Sequence, residues 1–359
     1  MLRRRSLLLL GSGALYAGPL EDRIRRIEQR WAPSAAMATT QVPAVSVAVF
    51  RDGQIEWARA YGVATTTGTL FQAASISKPV AAMAALHMAQ FGNFTLDEPI
   101  NQKLKSWQVP PHEFTAQVTL RGILGHTAGL TVSGFPGYAE DCEAPSVLEI
   151  LDGRKPANTP PIRVDIAPGS LYRYSGGGYT VLQVLLEDRF GKSFPELMRR
   201  IVLQRLSMYT STYEQPLPAE SASRAAVGFR SNGRSYTGGW HLYPEMAAAG
   251  LWTTPIDIAK FAIEIQQTLA GKSTKILEKA SAELMVTPHI GRHGLGLVAV
   301  PAWFGHSGSN AGYKCQFWAA RNGGHGAAVM TNSDNGMKLI KPIFDAIAAE
   351  SAWPPGLPS

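Results

Sequence analysis

Strand-like segments stand at both ends of this 359-residue chain, and helical segments fill its middle. Ala44–Phe50 alternates apolar and small residues, Arg51-Asp52-Gly53 supplies turn chemistry, and Ile55–Tyr61 continues as a second strand, which together predict a hairpin. Short apolar strands return after residue 290 and precede a last helix over residues 336–349. Strands from the two ends must meet to share one sheet. The pattern therefore predicts an α/β (α+β) class, with an antiparallel sheet flanked by helices.

The strands and helices that follow the first hairpin complete this prediction. The later predicted strands are Leu295–Val300, Gly312–Ala319 and Gly326–Thr331. The predicted helices include Val80–Phe91, Val181–Phe190, Phe194–Leu206 and Ile256–Leu269, the last with a clear start at Thr254-Pro255. We predict a single catalytic unit over residues 21–359. Its α/β part covers about residues 40–95 and 290–350, an inserted helical part covers about 96–289, and a cleft is expected at their junction.

One segment near the first hairpin combines a nucleophile with a base. Ser75 stands three residues before Lys78 at the start of an apolar helix, so the two side chains share one helical face. A lysine takes a proton from a hydroxyl only when burial or a nearby cation lowers its pKa from about 10.4. The surrounding small and apolar residues favour burial. Because a Ser-x-x-Lys sequence arises about once by chance in a chain of this size, the pair alone does not establish catalysis.

Two further segments place polar groups beside glycines. Tyr174 precedes a glycine run in which a phenol has room to enter a cleft, and a phenolate favoured by Lys78 would make it a proton shuttle. The segment 304–310 lies between predicted strands, where a substrate could pair with a strand edge and a backbone N–H could complete an oxyanion hole. Each segment also has a structural interpretation, as a packing tyrosine before a helix and as a glycine-rich hairpin turn.

The order of these segments resembles a known superfamily. Ser75-Ile76-Ser77-Lys78, Tyr174-Ser175-Gly176 and His306-Ser307-Gly308 are similar to three active-site motifs. Those motifs belong to the class C β-lactamase and D-alanyl-D-alanine carboxypeptidase superfamily, penicillin-binding-protein-like serine hydrolases that include family VIII-type esterases. Leu120–Leu130 and Gly250–Thr254 resemble two more of its stretches, although the pattern of the first alone indicates a structural role for His126. The resemblance spans roughly residues 44–349 and implies a β-lactamase/transpeptidase-like fold.

The resemblance also implies roles for individual residues. Ser75 would be the nucleophile of an acyl-enzyme, with Lys78 and Tyr174 as its acid and base, and without a metal or an organic cofactor. The implied substrate-binding and oxyanion-hole residues are Gly176, His306, Ser307, Gly308 and Ser309. The implied partner is a small-molecule ester, peptide or β-lactam.

Two departures from the superfamily pattern bear on the substrate. Gly176 stands where an Asn usually binds an acylamino side chain, and His306 stands where β-lactamases have Lys. A neutral histidine lacks the fixed positive charge that would hold a substrate carboxylate. Several D,D-peptidases, D-aminopeptidases and esterases of the superfamily resemble this His-x-Gly form. We therefore expect hydrolysis of esters or D-amino-acid peptides. The alternatives are a class C-like β-lactamase of low efficiency and a catalytically weak penicillin-binding or sensor protein.

The charge distribution bears on location and partners. The net charge is +7, but part of it comes from six arginines within the first 26 residues, and no later basic stripe is interleaved with aromatics. Nucleic acid binding is therefore not expected. Arg3-Arg4-Arg5, the apolar run Leu7–Leu10 and the small residues after it resemble an export signal over residues 1–20. The apolar run is too short to span a bilayer. We expect a periplasmic or secreted bacterial protein without a stable membrane span after signal removal, with an uncleaved anchor as the alternative.

The chain has two cysteines, Cys142 and Cys315. A pair this widely separated does not make a disulfide framework. Either the two form one disulfide or both are buried thiols, and we favour the thiols.

Overall fold

The computed structural model describes residues 18–62 and 65–358. The predicted signal segment, residues 1–20, lies outside these residues except for its last three positions, where the first helix begins. None of the helices in the described ranges combines the length and the apolar composition that crossing a membrane requires.

The two ends of the chain meet in one sheet. The strands of the described residues are β1 (Ala44–Arg51), β2 (Gln54–Gly62), β3 (Phe71–Gln72), β4 (Trp252–Thr253), β5 (Val298–Ala299), β6 (Trp303–Asn310), β7 (Tyr313–Ala320) and β8 (Gly326–Thr331). Six of them form an antiparallel sheet in the order β2-β1-β8-β7-β6-β5, and β3 pairs separately with β4. Because β1 pairs with β8, the N-terminal hairpin lies in the same sheet as the C-terminal strands. The predicted fold class is confirmed.

The first hairpin forms where the turn residues predict it. Asp52 and Gly53 occupy the two positions between β1 and β2, with φ of 51° and 80°. Positive φ at both central residues is the requirement of a type I′ turn, which matches the twist of the flanking strands. The two turn residues therefore determine the geometry of the connection between β1 and β2.

The sheet is covered on both faces because its central strand alternates its side chains between two cores. Val45, Val47 and Val49 pack with the first and last helices, whereas Ala48 and Phe50 belong to the larger core beneath the helical region. A period of two places alternate residues on opposite faces. Nearly all of β1 is consequently buried.

Helices occupy both faces of the sheet. In the described residues they are α1 (Pro19–Trp31), α2 (Pro33–Thr40), α3 (Ser77–Gln90), α4 (Leu120–Leu124), α5 (Val147–Asp152), α6 (Gly176–Phe190), α7 (Phe194–Met198), α8 (Ala219–Ala222), α9 (Met246–Ala249), α10 (Pro255–Leu269), α11 (Lys279–Val286) and α12 (Met337–Glu350). The first eleven residues of α3 are all buried. A helix that is small or apolar all round belongs in the interior, so α3 carries its N-terminal residues into the centre of the molecule.

Two predicted elements differ from the structure. Only Val298–Ala299 of the predicted strand Leu295–Val300 is a strand, because Gly296 has a φ of 100° and the N–H of Leu295 bonds to Leu284 O on α11. The predicted helix Phe194–Leu206 is α-helical only to Met198 and continues as a π-helical turn, in which the N–H of Gln204 bonds to Arg199 O. Tertiary contacts override the local pattern in the first segment.

The two cysteines are unpaired and have different environments. Cys315 on β7 is buried, as expected for a thiol in a core, and its Sγ donates to Ala73 O at 3.0 Å. Cys142 is exposed, so the expectation of burial is wrong for this residue. It lies in a loop where hydrophobic packing does not reach.

Candidate active site

Ser75 lies in a 3₁₀ turn, Ala74–Ile76, directly before α3. The ammonium of Lys78, one helical turn further on, donates to Ser75 Oγ at 2.9 Å and to Ala248 O at 2.8 Å. Ser77, also near the lysine, is fully buried, and its hydroxyl already bonds to Ala74 O and the N–H of Leu251. Ser75 is therefore the serine that can meet a substrate.

Burial makes Lys78 a usable base. Its side chain is 1% exposed, and burial lowers its pKa to about 7. A salt bridge with a carboxylate would raise this pKa again. In the described part of the chain, no carboxylate forms a salt bridge with Lys78. With this pKa the neutral amine is accessible near pH 7, beside the hydroxyl that it would deprotonate.

Tyr174 lies beside this pair in the loop before α6. Its side chain hydrogen-bonds to Ser75, and Lys78 Nζ lies 5.0 Å from the centre of its ring. Burial raises the pKa of Tyr174 above its usual range, and the bond to Ser75 only partly offsets this. The expectation of a phenolate favoured by Lys78 is therefore wrong. The cost of burying a charged phenolate outweighs its attraction to Lys78, which is itself partly neutral. Tyr174 is a phenol that can donate a proton.

His126 positions Tyr174 without touching Ser75. The N–H groups of Arg173 and Ser175 bond to His126 O at 2.8 Å and to His126 Nδ1 at 3.1 Å, so the backbone on both sides of Tyr174 is fixed. The two rings lie 4.3 Å apart. His126 adopts a φ of 57°, an uncommon conformation for a histidine, which these contacts stabilise. The stretch Leu120–Leu130, to which the sequence assigned no chemistry, thus supports the acid of the site.

The His306 segment is a strand and not a turn. It forms most of β6, paired residue by residue with β7. The glycines that suggested a turn lie where two backbones approach closely. A Cβ at Gly308 would overlap Ala73 O and lie 2.5 Å from Cys315 Sγ. Gly308 therefore lets β6 lie directly against the Ser75 turn.

The pairing of β6 exposes an edge beside Ser75. The turn at Ala311–Gly312 makes Asn310 and Tyr313 a hydrogen-bonded pair, so the next pair, Ser309 and Lys314, is a non-hydrogen-bonded one. The backbone groups of Ser309 then point away from β7, toward the cleft. This orientation leaves the N–H of Ser309 unpaired by β7 and able to join that of Ser75 in the oxyanion hole that the superfamily resemblance implies.

Replacing Gly308 by Ala is expected to separate the two N–H groups. The added methyl must push β6 away from the Ser75 turn. The loss of one oxyanion donor costs about 10²-fold in kcat, and overpacking costs about 1–3 kcal/mol of stability. Steady-state kinetics and thermal unfolding of Gly308→Ala measure both effects. The matched control is Gly68→Ala, because Gly68 is exposed with only one atom near its Cβ position. Wild-type turnover in Gly308→Ala would contradict this account of the strand.

His306 is neutral. Burial and the nearby Lys78 and His293 lower its pKa to about 3. Its Nδ1 lies 2.6 Å from Ser307 O, and because a carbonyl only accepts, Nδ1 carries the proton. The other ring nitrogen, Nε2, is then an acceptor, and it is buried without a partner in the described residues. His306 presents an acceptor to this part of the site and no positive charge.

Gly176 is required by a neighbouring loop. A Cβ at this position would lie 2.9 Å from Phe135 Cε2 and 3.1 Å from Ser133 O. The ring of Phe135, which is half-buried, therefore occupies the space into which a longer side chain at position 176 would project. An apolar ring stands at the place that the superfamily pattern assigns to an amide.

The structure adds residues that the sequence did not indicate. A cleft of about 400 Å³ brings together Ser75, Tyr174, His306, Ser307, Gly308 and Ser309 with His293, Val298, Lys314 and Met337. His293 stacks on Tyr172 at 4.7 Å, and burial lowers its pKa to about 4. No short motif surrounds these added residues, so only their spatial position identifies them. Although three histidines lie near Tyr174, no group of His, Cys, Asp or Glu in the described residues is arranged to hold a metal ion.

Comparison with known proteins places this geometry in a family. Residues 25–350 match the family model described as Beta-lactamase. The chain is 27% identical over 342 residues to penicillin-binding protein 4 of Amycolatopsis lactamdurans, covering 87% of this chain and 86% of that protein. Over 184 residues, 46% of each chain, it is 28% identical to esterase EstB of Burkholderia gladioli. The structure of D-amino acid amidase from Ochrobactrum anthropi SV3 superposes with a TM-score of 0.73 at 22% identity, covering 91% of this chain and 99% of the amidase. The chain belongs to the Beta-lactamase family.

Proposed function

We propose that this protein is a serine hydrolase that forms an acyl-enzyme on Ser75 and acts on esters or on amides and peptides of D-amino acids. The observation that carries the proposal is the 2.9 Å bond between Ser75 Oγ and a buried lysine whose pKa is about 7. A nucleophile that bonds to a base of matched pKa is the arrangement that covalent catalysis needs.

Acylation follows from the positions of three side chains. Lys78 takes the proton of Ser75 as Oγ attacks the substrate carbonyl carbon, and the carbonyl oxygen becomes an oxyanion between the N–H groups of Ser75 and Ser309. When the tetrahedral intermediate collapses, the bond to the leaving group breaks and Tyr174 gives it a proton. The proton held by Lys78 then restores the phenol. The enzyme is left as a serine ester with its titratable groups in their starting states.

Deacylation uses the same groups with water as the nucleophile. Lys78 accepts a proton from a water that attacks the acyl carbon, and the oxyanion forms in the same place. The bond to Ser75 Oγ breaks, Oγ regains a proton, and the carboxylic acid product leaves. The overall reaction consumes one water and requires no other reactant.

The leaving-group side of the cleft supports an uncharged leaving group. Tyr174, the proton donor, lies beside His306 and His293, with ring centres 6.2 and 6.1 Å away. Both imidazoles are neutral at pH 7 because burial lowers their pKa values to about 3 and about 4. Neither histidine offers a positive charge to a carboxylate on the leaving group, and the proton of nearby Lys78 is passed on during the reaction. Alcohols and simple amines therefore suit the site better than a D-alanine leaving group or the carboxylate of an opened β-lactam.

The proposal is tested by labelling and turnover on the same protein. We would expose it to a p-nitrophenyl ester, a D-amino acid p-nitroanilide and a fluorescent penicillin, and map any adduct by mass spectrometry. Turnover of the ester or the anilide with a transient acyl group on the Ser75 peptide supports the proposal. A long-lived penicilloyl adduct without turnover would favour the penicillin-binding alternative. The similarity to penicillin-binding protein 4 of Amycolatopsis lactamdurans is the observation that favours this second candidate. No adduct and no turnover would overturn it.

The rate should rise with pH through the pKa of Lys78. The amine must be neutral to accept the Ser75 proton, and its pKa is about 7. We expect kcat/KM for an uncharged ester to increase about tenfold per pH unit below this value and to level off above pH 8. A profile measured from pH 5 to 9 tests this. A flat profile, or one that falls as the pH rises, would show that Lys78 is not the base.

We also propose that the protein is exported from a bacterial cytoplasm. Support comes from the arginines at positions 3–5, the apolar run Leu7–Leu10 and the small residues that follow. Expression of the full chain in a bacterial host, followed by fractionation and N-terminal sequencing, tests this. Recovery of the uncleaved chain in the cytoplasm would contradict it.

A further inference from the structure

Lys314 is a cation in the wall of the cleft that the proposed acyl transfer does not use. It is the second residue of β7, directly opposite Ser309 on β6, and cross-strand partners project from the same face of a sheet. Its Nζ donates to Ser309 Oγ at 2.8 Å and to Asn310 O at 3.3 Å. The hairpin register therefore holds an ammonium beside the residue whose N–H faces the reacting carbonyl.

The nearby carboxylate does not hold Lys314 in a short ion pair. Asp334 Oδ1 lies 3.5 Å from Lys314 Nζ, longer than the roughly 2.7–2.9 Å of a strong charge-assisted bond. Its two oxygens also accept the N–H of Gly312 and the O–H of Tyr236, each at 2.9 Å. Lys314 Nζ thus has three acceptors, Ser309 Oγ, Asn310 O and Asp334 Oδ1, and the donor to Asp334, at 3.5 Å, is the one that a ligand in the cleft can draw away. Because Ser309 Oγ accepts from Lys314, the hydroxyl hydrogen of Ser309 is also available to a further acceptor.

The position of Lys314 identifies the part of the substrate that it meets. Tyr174, which protonates the leaving group, lies next to His306. Ser309 lies three residues further along the same strand, about 10 Å away at about 3.3 Å per residue. A carbonyl oxygen held between the N–H groups of Ser75 and Ser309 then directs the leaving group toward His306. The acyl part extends in the opposite direction, toward Lys314.

The charges around the cleft are unequal on these two sides. Of the cleft-lining residues in the described ranges, Lys314 is the only lysine or arginine, and none is an aspartate or glutamate. The histidines on the leaving-group side are neutral. Met337, the first residue of α12, lines the same end as Lys314, and the start of a helix adds a partial positive charge. Asp334, 3.5 Å from Lys314, partly offsets this positive charge, so a substrate anion at the acyl end competes with that carboxylate for the ammonium.

We infer that Lys314 and Ser309 bind a carboxylate on the acyl part of the substrate, so that the preferred substrates are esters or amides with an anionic acyl group and an uncharged leaving group. Within the proposed function, this disfavours an acyl group with a free ammonium, as in an unblocked D-amino acid amide. The inference rests on the proposed acyl-enzyme function at Ser75. It gives Lys314 a role in specificity that is separate from the reacting groups. Binding needs the ammonium and the hydroxyl together, with no covalent change at either.

A pair of isosteric substrates tests the inference. The mono-p-nitrophenyl ester of adipic acid carries a carboxylate on its acyl part, and the corresponding carboxamide is uncharged with the same leaving group. We expect wild-type kcat/KM to be about 10- to 100-fold higher for the carboxylate, since a hydrogen bond to a charged group is stronger than one to a neutral group. Lys314→Gln should lose about 10- to 100-fold on the carboxylate ester and change by less than about threefold on the carboxamide. Lys314→Arg should keep the preference.

The outcomes separate this inference from the function on which it rests. Equal losses on both esters would assign Lys314 a structural role and overturn the inference, as would a wild type without preference for the carboxylate. If Lys314→Gln instead weakened only an ester with the carboxylate on its leaving group, such as acetylated 4-hydroxybenzoate, the assignment to the acyl side would be wrong. Turnover that persists in Ser75→Ala, or no turnover of either ester, would remove the proposed function and the inference with it.

Discussion

Replacing Ser75 by Ala should reduce turnover of every substrate by about 10⁴-fold or more while leaving the fold intact. The variant removes the proposed nucleophile, and the loss of a covalent nucleophile is among the largest single effects in enzymes of this kind. Ser75 is only partly buried, and its hydroxyl bonds to Lys78 and Tyr174, so little packing is lost. Steady-state kinetics with a p-nitrophenyl ester, together with thermal unfolding, measure the two quantities.

The control for Ser75→Ala is a serine remote from the cleft. Ser223 is exposed, and its hydroxyl bonds only to Glu220 O, so Ser223→Ala should keep wild-type turnover. Mass spectrometry after mixing with substrate adds an independent readout, because wild type should carry an acyl group on the Ser75 peptide and Ser75→Ala should not. Wild-type activity in Ser75→Ala would refute the assignment of the nucleophile.

Replacing Lys78 by Met should nearly abolish turnover and raise the stability of the protein. Met fills the same buried space but cannot accept a proton, so the activity loss should approach that of Ser75→Ala. Burial lowers the pKa of Lys78 from 10.5 to about 7, and each unit corresponds to about 1.4 kcal/mol. Removing the buried amine therefore relieves about 5 kcal/mol. Loss of the bond to Ala248 O costs about 1–2 kcal/mol, so the net gain is about 3–4 kcal/mol.

The pH dependence of this stability difference has a definite sign. Below pH 7 the unfolded and folded states both hold the proton, and the full cost of burying the ammonium applies. Between pH 7 and 10.5 the unfolded state binds more protons, so wild-type stability rises with pH and the advantage of Lys78→Met shrinks. Thermal unfolding at pH 7 and pH 10 measures this. A Lys78→Met variant that is less stable than wild type at pH 7 would contradict the desolvation of Lys78.

Two controls isolate the catalytic role of Lys78. Lys279 is an exposed lysine, and Lys279→Met should leave both turnover and stability close to wild type. The double variant Ser75→Ala with Lys78→Met should be no less active than Ser75→Ala alone, since members of one proton-transfer unit are not additive. A further large loss in the double variant would show that the two residues act independently.

The parts of the structure that the sequence predicted are those governed by nearby residues. Asp52 and Gly53 accept positive φ, so the first hairpin follows from its own turn. Thr254 accepts a bond from the N–H of Asp257 at 3.2 Å, so the start of α10 follows from its cap. Ser75 and Lys78 meet because residues three apart on a helix share a face. Each of these depends on a few consecutive positions.

The tertiary structure decided the environment of the reacting groups. Lys78 owes its pKa of about 7 to burial by the whole core around α3, and the same burial keeps Tyr174 protonated. From the sequence, the glycines of the His306 segment are compatible with a hairpin turn as well as with a strand edge. They form a strand because β6 must approach the backbone at Ala73 closely. Desolvation and backbone contact depend on segments more than 200 residues apart, which no local pattern specifies.

The sequence by itself determined the class of fold and located the proposed nucleophile and its candidate base, because helical spacing, strand alternation and turn chemistry act over a few residues. Only the tertiary structure placed His126 behind Tyr174, the ring of Phe135 over Gly176, and Lys314 beside Ser309. These neighbours come together through sheet register and loop packing, and they set the protonation and charge of the cleft. The kind of chemistry is therefore readable from the sequence, whereas the choice of substrate depends on contacts between distant segments.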